Sequence, residues 1–222
     1  MKLDKKTFNK WVEWTEKIEI DLIAIVHNQQ IFNYFINVVN ANFKHIESNA
    51  GLFFCDFVRQ CYGVQAALGI RRHTKTDGDS ISLMRLLEQI KQCASQFTYD
   101  LYLEYYPIIN GNESQKSIFQ DFSDDGMIIS GHKIENDIQE LKKIGSEVTG
   151  LVDRILAHLD KRGLKEQVTY NNLEESINVF NKITCKYIRL ILFAAQLSLE
   201  PVIQSDWTKI FSIPLDIRKF ES

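Results

Sequence analysis

Apolar residues return along most of the chain at spacings of three, four and seven, the period of an α-helix with one buried face. Residues 4–25 carry Phe8, Trp11, Ile18 and Leu22 on such a face, with Trp14 on its flank. The spacing predicts a second helix over 29–46, with Ile31, Phe32, Phe35, Val38 and Val39, and a turn over 47–51. A third helix is expected over 52–72. Phe54, Phe57, Val58, Cys61, Val64 and Leu68 make it strongly apolar, and Arg72 extends this stripe, which is expected to be buried. A polar loop follows at 73–79. Ser80 or Ser82 then caps a helix carrying Leu83, Leu86, Leu87 and Ile90. From Phe97 to Gly131 the pattern weakens. Thr98–Tyr106 reads as helix or loop arm, and turns are expected at Asn110-Gly111 and at Ser123-Asp124-Asp125-Gly126.

The next periodic segment runs over 132–161, with Ile134, Ile138, Leu141, Val148, Leu151, Ile155 and Leu159 on one face and Arg162-Gly163 as its stop. Asn171-Asn172-Leu173-Glu174 resembles a capping box. It opens a last long helix to about Leu199, with Leu173, Ile177, Phe180, Ile183, Tyr187, Leu190 and Ala194 inward, and Pro201 prevents further winding. The rings of the stretch Trp207–Pro214 are expected to cap one end of the bundle. The fold class implied is all-α, an elaborated antiparallel helical bundle of five to seven helices. No linker or repeat divides the chain, so 1–222 is expected to be a single domain.

Composition sharpens this picture. Ten Gly and three Pro in 222 residues are too few for a turn-rich β fold. Fourteen Phe, eight Tyr and three Trp supply a ring-rich core. The net charge of −3 argues against a general nucleic-acid coat, though not against a local basic patch. Cys55, Cys61, Cys93 and Cys185 show no metal-ligand rhythm and sit among apolar neighbours, so buried free thiols are expected. The charged N-terminus is followed by no apolar run, and Ile188–Leu199 is interrupted by Arg189 and Gln196. A soluble cytoplasmic protein with no membrane span is therefore expected.

One stretch, Gly150–Arg162, gathers proton-transfer and phosphate-binding groups. Arg154 and His158 are four apart and stack on one side of the helix, and Lys161 continues the line at the edge of the apolar stripe. A histidine that titrates near neutrality moves protons, and an arginine fork fits two phosphate oxygens. Asp153 can pair with a guanidinium. Arg71 and Arg72 end an apolar stripe and are expected to pair internally with Asp77 or Asp79, because charges at such a place need partners. There is no nucleotide-binding loop, no Glu-x-x-His and no zinc set, so no cofactor and no metal is expected.

Four stretches, taken in order, resemble the HEPN superfamily of all-helical RNA-associated domains, and within it the abortive-infection AbiU-like branch. They are Ile70-Arg71-Arg72-His73 with Asp79–Leu87, then Asp153–Lys161, then Val168–Ile177 with Lys186-Tyr187, and finally Trp207–Pro214. The resemblance implies a homodimer in which the Ala157-His158 helix of each copy faces a shared cleft. It implies a protein of prokaryotic phage defence or a toxin–antitoxin system, with RNA and a cognate antitoxin protein as partners. Active members are metal-independent endoribonucleases whose signature is an arginine and, a short interval later, a histidine. His158 matches that histidine. Arg154 stands closer to it than the signature has, and Asp153 occupies a place where arginine is expected. The alternative is a non-catalytic helical module that binds a partner protein or RNA. If the chain cleaves RNA, His158 and Arg154 are the catalytic residues, with Asp153, Lys161, Arg71 and Arg72 in phosphate-binding or supporting roles. In a two-fold dimer each copy gives one imidazole and one guanidinium to deprotonate the 2′-hydroxyl, protonate the leaving oxygen and neutralise the phosphorane.

Overall fold

Asp4 starts the first helix by accepting a hydrogen bond from the Thr7 backbone N–H at 2.8 Å. The helix then runs without interruption as α1, Lys5–Ala41. The expected break between two helices near residue 27 is absent. No Gly or Pro lies within Lys5–Ala41 to break the helix near residue 27, and the polar run His27-Asn28-Gln29-Gln30 stays helical with Gln29 buried. The structure is a computed structural model that describes residues 2–48, 51–106, 113–155, 170–201 and 206–213, with backbone only at 113, 147 and 149–155.

The remaining elements are α2, Phe43–Ser48, α3, Leu52–Thr74, α4, Leu83–Gln92, α5, Tyr99–Tyr105, α6, Glu113–Phe122, α7, Gly131–Ile155, and α8, Tyr170–Leu192. Two short 3-10 helices, Ala94–Gln96 and Trp207–Ser212, join them. Among the described residues the chain is predominantly helical and has no strand, only isolated bridges at Thr98–Ile128 and Ser123–Ile129. The all-α expectation is met. No helix among these residues is long and apolar enough to cross a membrane.

Helix α8 is central and packs against α1, α3, α6 and α7. Its inward row is the one that the periodicity predicts: Leu173, Ile177, Phe180, Ile183, Tyr187 and Leu190 are all buried. It ends at Leu192, well before Pro201. Phe193 enters the left-handed region at φ 51° and breaks the ladder. Tyr187 donates to Asp137 of α7 at 2.9 Å, and Lys186 pairs with the same oxygen at 2.6 Å. Burial, together with the Asp137 charge, holds the Tyr187 phenol neutral, far above its ordinary range.

The weakly patterned region is helical in α5 and α6 and tied by rings. Phe97, Tyr102 and Phe119 pack edge to face or tilted, and Phe8 of α1 stacks on Tyr105 at 3.9 Å. The turn at Ser123–Gly126 forms around Asp125, whose carboxylate accepts from the Met127 and Ile128 backbone N–H groups. The rings of Trp207–Ser212 pack on α1 at Tyr34 and Phe35. The turn expected at Asn110-Gly111 lies outside the described residues.

Helix α3 reverses the expectation. Its buried face is Cys55, Tyr62, Ala66, Ala67, Gly69, Ile70 and His73. Most of the row expected inside faces out: Phe54 is 61% exposed, Phe57 56% and Leu68 42%, and Cys61 is exposed as well, while Val58 packs on the core and Val64 is half-buried. Small residues decide the matter. A Cβ on Gly69 would sit 2.6 Å from Ile25 Cδ1, so α1 approaches the Ala66-Ala67-Gly69 side and not the side carrying rings. The other three cysteines are buried, as expected.

Candidate functional site at the end of α3

The last turn of α3 carries Arg71, Arg72 and His73 on three different sides, because successive residues are separated by about 100° around a helix. Toward α1, Arg72 and His73 both hold Asp21. Arg72 donates from Nε at 2.9 Å and from Nη2 at 2.8 Å, a bidentate fork, and His73 Nε2 lies 2.8 Å from Asp21 Oδ2. The His73 hydrogen bond first, then the charges of His73 and Arg72, hold the Asp21 carboxyl below its ordinary range against partial burial. The Arg72 pairing expected with Asp77 or Asp79 is therefore replaced by one across the bundle. Asp77 instead lies 3.6 Å from Lys75. His73 is 2% exposed, its ring rests near Phe180, and its Nδ1 has no hydrogen-bond partner among the described residues.

On the other side, toward α4 and α7, α3 opens a cleft of about 650 Å³. Three cationic side chains line it: Arg71 and Lys75 from the end of α3, and Lys142 from α7. Hydroxyls come from Thr74, Thr76 and Ser146, and the acids Asp77 and Glu88 complete the rim. Lys142 and Ser146 are four apart, so they share one side of α7. Gly145 between them lets α7 close on α3, since a Cβ there would lie 2.3 Å from Thr74 Cγ2. The volume is that of a small-ligand site. Three cations against two carboxylates suit a phosphate-bearing ligand, and the acids favour one that also offers hydroxyl or amine donors, while the Thr74 and Ser146 hydroxyls donate to the Arg71 and Lys143 carbonyls.

Of the residues singled out from the sequence, the structure brings Arg71 into this cleft and places Arg72 on Asp21. Asp153 and Arg154 lie in the last described turn of α7 by backbone. His158 and Lys161 lie outside the described residues. The spacing did not pick out Asp21, His73, Lys75 or Lys142. The one available signal was position: His73 is three beyond the apolar Ile70, and Lys142 follows Leu141 on the edge of the α7 stripe. Among the described residues no group of three His, Cys, Asp or Glu side chains could hold a metal ion. No family model, curated protein or solved structure matches the chain.

Proposed function

We propose that the protein is a HEPN-type, dimeric protein of prokaryotic phage defence or of a toxin–antitoxin pair, and that it engages RNA and cleaves it without a metal. The observation that supports RNA engagement is the cleft in which Arg71, Lys75 and Lys142 converge from two helices. The cleft sits beside α7, the helix whose last described turn carries Asp153 and Arg154. In this reading the cleft holds backbone phosphates. His158 transfers the proton at the 2′-hydroxyl or the leaving oxygen, and Arg154 neutralises the phosphorane. The second reading, a non-catalytic helical module binding a partner protein or RNA, is favoured by Asp153, which stands where the resemblance expects an arginine.

The test uses total cellular RNA with the wild type and His158→Ala, with and without EDTA, each protein checked by circular dichroism. Cleavage by the wild type, insensitive to EDTA and lost in His158→Ala, is the expected result. Equal cleavage by both proteins overturns the role of His158. RNA bound but not cut by either moves the conclusion to the second reading. Binding is followed in parallel with Lys142→Glu, which should weaken retention of RNA and lower the salt slope by about one phosphate contact.

A further inference from the structure

The exposed row on α3 has a regular order. Phe54, Phe57, Cys61 and Leu68, with the half-buried Val64 among them, follow at intervals of three, four, three and four, the spacing of a seam between two helices. Phe53, beside the row, is 85% exposed. Phe53, Phe54 and Phe57 leave about 400 Å² of ring surface uncovered in one copy. An isolated surface of that kind is an interaction site on a soluble chain.

We propose that this row docks against the same row of a second copy, with the two α3 helices antiparallel about a two-fold axis near Cys61. Two observations select that occupant. The row is centred on itself: Cys61 is its midpoint, so a two-fold axis there sets Phe54 and Phe57 of one copy against the Leu68 end of the other. The area is also of the right order. The rings of two copies supply about 800 Å² of the roughly 1,200–2,000 Å² found in stable interfaces, before Cys61, Leu68 and the flanking Gln60 and Gln65 are added. An isologous contact closes on itself, so the row is used up in the dimer and does not propagate.

This inference rests on the dimeric part of the proposed function and names its surface. Its test contains no RNA, so a failed interface and failed RNA engagement read out separately. The full-length protein is followed by sedimentation equilibrium at micromolar concentrations. The wild type should have twice the chain mass of 25.8 kDa. Phe57→Asp should have the chain mass with an unchanged circular-dichroism spectrum, and Ile20→Asp, on α1 and 71% exposed, should remain dimeric. Cys61 gives the second readout because the other three thiols are buried. Its labelling by maleimide should be at least about tenfold slower in the wild type than in Phe57→Asp. A monomeric wild type overturns the proposal, including one whose Cys61 is protected by another part of the chain. A dimer that survives Phe57→Asp also overturns it, because the interface then lies elsewhere.

Discussion

Asp21 shows how one side chain can stabilise two helices at once. Among the described residues its carboxylate is the only hydrogen-bond acceptor of the buried His73 ring, and it takes both prongs of the Arg72 fork. Asp21→Ala leaves the imidazole N–H buried without its acceptor, which should cost about 1–3 kcal/mol. The sign of the pH dependence follows from the depressed carboxyl. A group with a lowered folded pKa adds stability that is full above its unfolded value, here near 3.8, and is lost as pH falls through the folded value. The difference in melting temperature between wild type and Asp21→Ala should therefore be largest toward neutrality and shrink as pH drops below 3.8. A difference that grows on acidification would contradict the assignment of Asp21 as the charged partner.

Between elements, the contact of α3 with α7 depends on a missing side chain. In an open helix Gly→Ala stabilises by about 1 kcal/mol. At Gly145 the new Cβ meets Thr74 Cγ2 at 2.3 Å and Thr74 Cβ at 3.3 Å. Overpacking of that kind costs about 1–3 kcal/mol, so Gly145→Ala should lower the melting temperature. Thr74→Ser removes the Cγ2 methyl and keeps the hydroxyl that bonds the Arg71 carbonyl at 2.9 Å. Combining it with Gly145→Ala should restore most of the loss. Additive destabilisation by the two changes would show that the helices do not meet there. The same contact shapes the cleft, so Gly145→Ala should also weaken RNA retention where Thr74→Ser alone does not.

For the whole molecule, a dimer through α3 makes folding depend on concentration. Binding that favours only the folded state raises apparent stability by mass action. The melting temperature of the wild type should climb as protein concentration rises, and that of Phe57→Asp should not. Equal slopes for the two proteins would contradict the interface and leave the apolar row without a second copy as its cover.

Periodicity made α4 and α8 legible in the sequence, because each has one apolar face and a polar remainder, and only one way of facing a core; it found the buried face of the first half of α1 but split that helix in two. Low Gly and Pro content gave the all-helical class for the same local reason: nothing breaks the winding. Helix α3 was not legible in this way. It is apolar nearly all round, so spacing finds a row of large residues but not the direction in which it points. That direction was decided by how closely α1 and α7 can approach at Gly69 and against Thr74, a matter of volume between segments distant in sequence. The site divides likewise. Arg71 and Arg72 were visible as charges ending an apolar helix, but their surroundings were not. Asp21 precedes Arg72 by 51 positions, and Lys142 enters the cleft from another helix. Only the packing of three helices brings such groups together, because hydrogen bonds and charge pairs act over a few ångströms and not along the chain.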